Sequence, residues 1–284
     1  MANSEIIGAE QDTARRAPKI NTITCGDCLE VMKMISGGSV DLIITDPPYE
    51  ITDMTSYFTE MIRCLSPTGS IYIFGNKNVV AEYWFSQLDI TKKELLCWHY
   101  KNSPKPRGRW RMSMQAIIYG YRKDSVFNQD CVRREYREAT KKLNGRMRPS
   151  SGRMDIAKKY DTSKGALPLD VIERPALTGH LSKERVGHPD QKPLSIVSDL
   201  LLASSNKGQL VLDCFSGSGS VALACAIHSR NYIGIEKEEK YCRIAEERIH
   251  ALRSPAQNAM EICHTAPNSG RDAIPLTNLD DILS

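Results

Sequence analysis

The chain has 284 residues, 41% hydrophobic and 25% charged, with a formal net charge of +4, which is enough to bury a sizeable core in one α/β domain with an insertion. No run of about 18 uninterrupted apolar residues offers a membrane span, and the polar residues 1–18 lack the apolar core of a secretory signal. The nine cysteines are odd in number and scattered among apolar runs, which suits buried thiols in a reducing compartment better than a disulfide framework.

In chain order, residues 1–18 read as disordered, 20–24 as a short strand and 28–35 as one or two helical turns. Cys25-Gly26-Asp27-Cys28 is formally a C-x-x-C. It has no partner pair for a metal site, so it reads as a strand end followed by a helix start. Residues 40–45, Val-Asp-Leu-Ile-Ile-Thr, have the apolar pattern of a buried strand running into Asp46. Pro47 and Pro48 must end it, because neither can donate to a ladder. Asp46 is thereby placed at the C-terminal edge of a strand, where open α/β sheets bind ligands.

Residues 56–65 are expected to be helical with Tyr57, Met61 and Leu65 on one face. A turn at 67–69, a strand over 70–74 and a helix over 78–87 follow. Two more strands, at 94–100 and 114–121, flank a polar loop over 104–111 and allow one antiparallel hairpin at an edge. From 122 to 187 the periodicity fades, apart from a candidate helix over 130–143, and the segment reads as an insertion outside the sheet. Regular pattern returns with a helix over 193–204, a strand over 209–214, a helix over 219–229, a strand over 231–235 and a helix over 238–252. Residues 254–284 read as a polar tail, with a docking turn at 279–283.

Repeated strand–helix units predict a doubly wound, mostly parallel, Rossmann-like sheet. Charge is unevenly spread. Between His99 and Gly187 there are about 21 Lys and Arg against about 9 Asp and Glu, which leaves the rest of the chain at about −8. A basic segment on an acidic body suits a polyanion surface, with a solvated charged loop as the bland alternative.

Two motifs carry chemistry. Val211-Leu212-Asp213-Cys214-Phe215-Ser216-Gly217-Ser218-Gly219 runs strand, turn, helix. The glycines allow close backbone approach to a ligand. The spacing is not that of a dinucleotide fingerprint, and no lysine follows as in a P-loop. Glu236 closes the next strand and can accept hydrogen bonds from ribose hydroxyls; Asp213 would face a cationic group. Together they favour an adenosine ligand with a cationic tail, such as S-adenosylmethionine, over NAD. Asp46-Pro47-Pro48-Tyr49 suits a clamp for an exocyclic base amine. The carboxylate and the Pro47 carbonyl accept the two amine hydrogens, and Tyr49 offers a ring face to the base. Attack on carbon-5 of cytosine would need a nucleophilic thiol, and the chain has no Pro-Cys pair.

With the clamp ahead of the glycine turn and a basic region between them, the chain resembles the β class of DNA amino-methyltransferases over residues 21–252. The resemblance implies a permuted motif order, a methyltransferase domain split into 19–121 and 188–253, and a target recognition insertion at 122–187. It implies S-adenosylmethionine as cofactor, held by Asp27, Cys28, Asp46, Asp213, Phe215, Ser216, Gly217, Ser218, Gly219, Glu236 and Lys237. Lys192 and Ser195, from His188-Pro189-Asp190-Gln191-Lys192-Pro193 onward, are implied beside its carboxylate. Asp before Pro-Pro-Tyr implies adenine N6 as target, with cytosine N4 as the alternative. RNA or protein-glutamine methylation and an inactive DNA-binding protein are more distant readings. Duplex DNA with a flipped base is the implied substrate. Arg107, Arg109, Arg111, Arg133, Arg134, Arg146 and Arg148 are candidates for phosphate or guanine contacts. A homodimer, a cognate restriction endonuclease and a cytoplasmic, DNA-associated location, in a bacterial cell or encoded by a phage, complete the expectations. The chain departs from the family pattern at Cys214, where proline is usual, at Glu50, where asparagine is common, and in a short loop over 50–55.

Overall fold

The computed structural model describes residues 17–51, 53–86, 89–102, 108, 110–146, 159, 161–177 and 184–252. The tails expected at 1–16 and 254–284 lie outside the described residues. In chain order the elements are β1 (Thr22–Cys25), α1 (Cys28–Met32), β2 (Val40–Thr45), α2 (Thr55–Cys64), β3 (Leu65–Gly75), α3 (Lys77–Phe85), β4 (Lys92–His99), β5 (Met114–Tyr121), α4 (Glu138–Lys141), β6 (Val171–Glu173), α5 (Leu194–Ser204), β7 (Leu210–Asp213), α6 (Ser220–Ile227), β8 (Asn231–Glu236) and α7 (Glu239–Leu252). The strands form one sheet in the order β1-β8-β7-β2-β3-β5-β4-β6. Only β5 runs against its neighbours.

Both faces of this sheet are covered, which is why its central strands are apolar almost without interruption. On one face Leu42, Ile44, Tyr72 and Phe74 pack with α5 and α6 residues such as Val197, Leu201 and Leu223. On the other, Ile43, Ile71 and Ile73 pack with Met32, Phe58 and Met61 of α1 and α2. Deleting a side chain such as Met61 or Leu201 from this interior would cost about 2–5 kcal/mol.

Several expectations need correction. The turn at 67–69 is an irregularity within β3: Val40 pairs Leu65 and Leu42 pairs Ser70, so residues 66–69 bulge opposite Asp41. The helix over 130–143 is broken into a 3₁₀ turn at Gln129–Val132 and the short α4. Between them Arg134 forms an isolated antiparallel bridge with Ala166, which holds the backbone extended. The buried face of α2 is wider than expected: Phe58, Ile62 and Cys64 are buried along with Met61, and Tyr57 packs partly buried against the same core. Finally, the insertion is not wholly outside the sheet. The short strand β6 pairs parallel with β4 at the edge, so the expected edge hairpin of β4 and β5 is covered by a third strand. Three residues are too few for a periodicity to be seen in the sequence.

Candidate active site

Four neighbouring strands present a carboxylate at or just beyond their C-terminal ends. In sheet order they are Asp27 after β1, Glu236 ending β8, Asp213 ending β7 and Asp46 after β2. Three strand spacings of about 4.8 Å make this row about 14 Å long, the scale of an adenosine with an amino-acid tail. The crossing point is the pairing of β2 with β7, Leu42 with Val211 and Ile43 with Leu212. It joins the two motifs, which lie far apart in the chain. All four carboxylates line one cavity of about 460 Å³, within the usual range for small-ligand sites.

At the clamp end, Pro47 and Pro48 end β2 as expected. Asp46 is largely buried. Its Oδ2 is ion-paired with Lys192 Nζ, while Oδ1 is buried with no hydrogen-bond partner among the described residues. An orphaned buried acceptor is costly, and here it faces a cavity that a donor could enter. Burial raises the Asp46 pKa above the ordinary carboxylate value, against the opposing pull of Lys192. Among the described residues no donor reaches the Pro47 carbonyl, whereas the Pro48 carbonyl accepts from Ile51 N–H at 3.3 Å. Tyr49 is 45% exposed, and its hydroxyl accepts from Gln115 Nε2 at 3.0 Å.

Lys192, expected beside a ligand carboxylate, lines the cavity and is paired with Asp46. Its ammonium donates to Asp46 and to the Asp190 carbonyl at 3.3 Å, and lies 5.4 Å from the Phe74 ring centre. A buried carboxylate attracts the nearest cation, and this one lies across the cavity on the segment leading into α5. Ser195 is partly buried in α5 and does not line the cavity; Ser218 and Ser220 do.

At the other end, Asp27 caps α1, accepting from the N–H groups of Leu29 and Glu30 at 3.0 and 3.4 Å. The C-x-x-C is thus a strand end joined to a capped helix start, with Cys28 buried and its thiol pushed up to about 12 by burial. Glu236 is held by two backbone donors, Gly217 N–H on Oε2 and Glu238 N–H on Oε1, both at 2.8 Å. Each oxygen keeps a second lone pair for a ligand. Gly217 and Gly219 have φ of +49° and +78°. A Cβ on Gly219 would stand 2.7 Å from Ala245 Cβ, so this glycine lets α6 pack on α7 and does not itself line the cavity. Ser216, Ser218 and Lys237 do line it.

Asp213 accepts from Thr45 Oγ1 at 3.1 Å and Phe215 N–H at 3.2 Å. Burial pushes its pKa from 3.8 to about 7 despite these bonds. Since the folded state binds this proton more tightly than the unfolded chain, the stability from Asp213 is full below about pH 4. It is lost as pH rises through about 7. Asp213→Asn should therefore flatten the dependence of unfolding free energy on pH across that window, as read from urea denaturation. An unchanged slope would show that Asp213 is not the group titrating.

Tyr57 and Gln115 are among the residues at or beside the site that the sequence did not mark. Tyr57 of α2 lines the cavity with its ring 5.7 Å from that of Phe215; helical spacing does not distinguish core from cavity. Gln115, the second residue of β5, donates to the Tyr49 hydroxyl, and it also favours the ionised form of Asp46. Nothing in its local sequence marks it.

The arginines divide. Arg133 braces the insertion, with Nε on Asp130 at 2.6 Å and Nη1 on the Gly165 carbonyl at 2.8 Å. These two contacts engage Nε and Nη1 of its guanidinium within the insertion. Arg134 is half-buried and acts electrostatically on Asp199 of α5. Arg111 Nη2 donates to the Lys101 carbonyl at 2.6 Å, and Arg146 is exposed. Arg107, Arg109 and Arg148 lie outside the described residues.

A doubly wound sheet with a row of carboxylates along one C-terminal edge has the form of a ligand-binding α/β protein. The DNA methylase family model matches residues 40–247, and the chain belongs to that family, the amino-methyltransferases that modify exocyclic nitrogens of DNA bases with S-adenosylmethionine. It is 29% identical to type II methyltransferase M.HpaI of Haemophilus parainfluenzae, over 89% of this chain and 81% of that protein. It is 28% identical to DNA adenine methyltransferase YhdJ of Escherichia coli (strain K12), over 84% and 85%. Among solved structures, the M1.HpyAVI–SAM complex matches with TM-score 0.56 and 26% identity, over 80% of this chain and 98% of that one. The cytosine-N4-specific PvuII DNA methyltransferase shares the fold, with TM-score 0.63 over 94% of each chain but 13% identity. No helix among the described residues is long and apolar enough to cross a membrane.

Proposed function

We propose that the chain methylates the exocyclic N6 of adenine at a specific site in duplex DNA, after the base is flipped into the clamp. The observation that carries this reading is Asp46 Oδ1, a buried acceptor just beyond β2 with no hydrogen-bond partner among the described residues, followed in the chain by the Pro47 carbonyl. An adenine amine has two hydrogens to place on them. With both held, its lone pair turns toward the cofactor side of the cavity. Tyr49 stacks on the base, and Gln115 fixes Tyr49 by its hydroxyl.

S-adenosylmethionine supplies an activated methyl group on a sulfonium, so transfer needs no covalent enzyme intermediate. Cys28 and Cys214 line the cavity, but burial raises both thiols and keeps them protonated. Lys192 holds Asp46 in place through Oδ2 and leaves Oδ1 to the substrate. As the nitrogen becomes cationic, Asp46 stabilises it, and the surplus proton leaves along the hydrogen bond to Oδ1. The raised pKa of Asp46 suits it to receive that proton. In the cofactor part, Glu236 would bind ribose hydroxyls, Asp27 the adenine edge, Asp213 the amino group, and Phe215 with Tyr57 the adenine face.

Adenine is favoured by the acidic clamp residue and by the similarity to an adenine methyltransferase. Mass spectrometry of digested DNA after incubation with S-adenosylmethionine should show N6-methyladenine. N4-methylcytosine alone would keep the mechanism and overturn the base. Gln115→Ala should lower kcat about tenfold by freeing Tyr49, with cofactor affinity within twofold in calorimetry. An unchanged kcat would remove Gln115 from the clamp.

A further inference from the structure

Ser216, Ser218 and Ser220 follow Asp213 through the glycine turn, line the cavity and are buried. Two of them give their protons to backbone. Ser216 Oγ donates to the Asp213 carbonyl at 3.3 Å, and Ser220 Oγ donates to the Lys192 carbonyl at 2.9 Å. Ser218 differs. Its Oγ accepts from Arg248 Nη1 at 3.3 Å, and the same nitrogen donates to the Ser218 carbonyl at 2.6 Å. Arginine only donates, so this contact makes the Ser218 oxygen an acceptor and leaves its proton for a ligand.

Arg248 stands on α7 and does not itself line the cavity. Its Nη2 is buried with no hydrogen-bond partner among the described residues. Glu184 acts on it electrostatically, with Oε1 already accepting from Leu194 N–H at 2.7 Å. Beside Ser218, α6 begins at Gly219, an N-cap with no side chain to cover the first N–H groups. The positive end of that helix adds to the field of the guanidinium.

Elsewhere the cavity wall is acidic. Asp27, Asp46, Asp213 and Glu236 line it, and Lys192 is paired with Asp46. The anionic group of S-adenosylmethionine is the carboxylate of its amino-acid end. Like charge disfavours that group beside the acids. An open hydroxyl proton, a helix start and a cation favour it at Ser218.

We propose that Arg248 is the positioning residue for the cofactor carboxylate, acting through Ser218: the guanidinium holds Oγ, and the hydroxyl donates to a carboxylate oxygen. This rests on S-adenosylmethionine as cofactor and is independent of the base that is methylated. A cation donating to a hydroxyl that donates to an anion polarises both bonds in the same sense.

The test is titration calorimetry of the full chain without DNA. The ligands are S-adenosylhomocysteine and its decarboxylated analogue, which keeps the amine. Arg248→Met keeps a long side chain and removes the donors. It should weaken S-adenosylhomocysteine about tenfold and the decarboxylated analogue by less than about twofold. Ser218→Ala should show the same selective loss, and the double variant should lose little more than either single one, because the two residues act as a unit. Equal losses for the two ligands would mean that Arg248 only supports the turn, and they overturn the proposal. Undiminished affinity for both overturns it as well. If Arg248→Met does not fold, Arg248→Lys carries the same test, since it keeps the charge without the fork of donors. A smaller loss confined to the carboxylate-bearing ligand is then expected, and any other pattern overturns the proposal. A wild type that binds both ligands equally removes the proposal alone. A wild type that binds neither overturns the cofactor reading and takes the proposal with it.

Discussion

Asp46→Ala should reduce methyl transfer at least 100-fold while S-adenosylmethionine binding changes no more than a few-fold. The substitution deletes the orphaned acceptor Oδ1 and the partner of Lys192 together. One preorganised electrostatic group at a centre of developing charge is worth about 10²–10³ in kcat. Loss of Asp46 also leaves the Lys192 ammonium unpaired beside the Phe74 ring, where it would repel a nitrogen gaining positive charge. Asp46→Asn restores a carbonyl acceptor without the negative charge, so it should recover only part of the loss. Single-turnover rates with radiolabelled cofactor measure both variants. Turnover near that of the parent in Asp46→Ala would end the clamp assignment.

Glu236→Ala should weaken S-adenosylmethionine by about 1–3 kcal/mol, through hydrogen bonds lost to the ribose. The carboxylate has a second task, accepting from Gly217 N–H and Glu238 N–H. Its removal therefore also loosens the glycine turn against β8. Glu236→Gln separates the two contributions, because its amide has one acceptor oxygen and cannot satisfy both backbone donors. Titration calorimetry should rank the affinities parent, Gln, Ala. Cofactor should also raise the melting temperature of the parent more than that of either variant, by mass action. Undiminished affinity in Glu236→Ala would move the ribose elsewhere in the cavity.

Much of this site was legible in residue order. The strand of residues 40–45, its termination by two prolines, the positive φ demanded at Gly217 and Gly219, and the carboxylate ending β8 all depend on neighbours a few positions away. The cap that Asp27 places on α1 is equally local. Such features follow from backbone sterics and from the period of the apolar residues, which any short window of sequence contains. Legible too was the class of chemistry, because an acid followed by Pro-Pro-Tyr and an acid following a glycine turn each restrict the ligand groups they can serve.

What the sequence by itself determined, then, was the set of elements and the chemical character of each edge residue. The tertiary structure decided who meets whom. It brought β2 beside β7, gave Lys192 to Asp46, and drew Arg133 inward to Asp130 and the Gly165 carbonyl. It turned Tyr57 toward Phe215, set Gln115 on Tyr49, and seated β6 on the sheet edge. Most of these contacts join residues tens to more than a hundred positions apart. Their partners are chosen by distance in the folded state, and a charged side chain pairs with whatever opposite charge or carbonyl burial leaves within reach. Local pattern holds no record of that choice, so an arginine that braces its own fold and one left exposed look alike until the chain is folded.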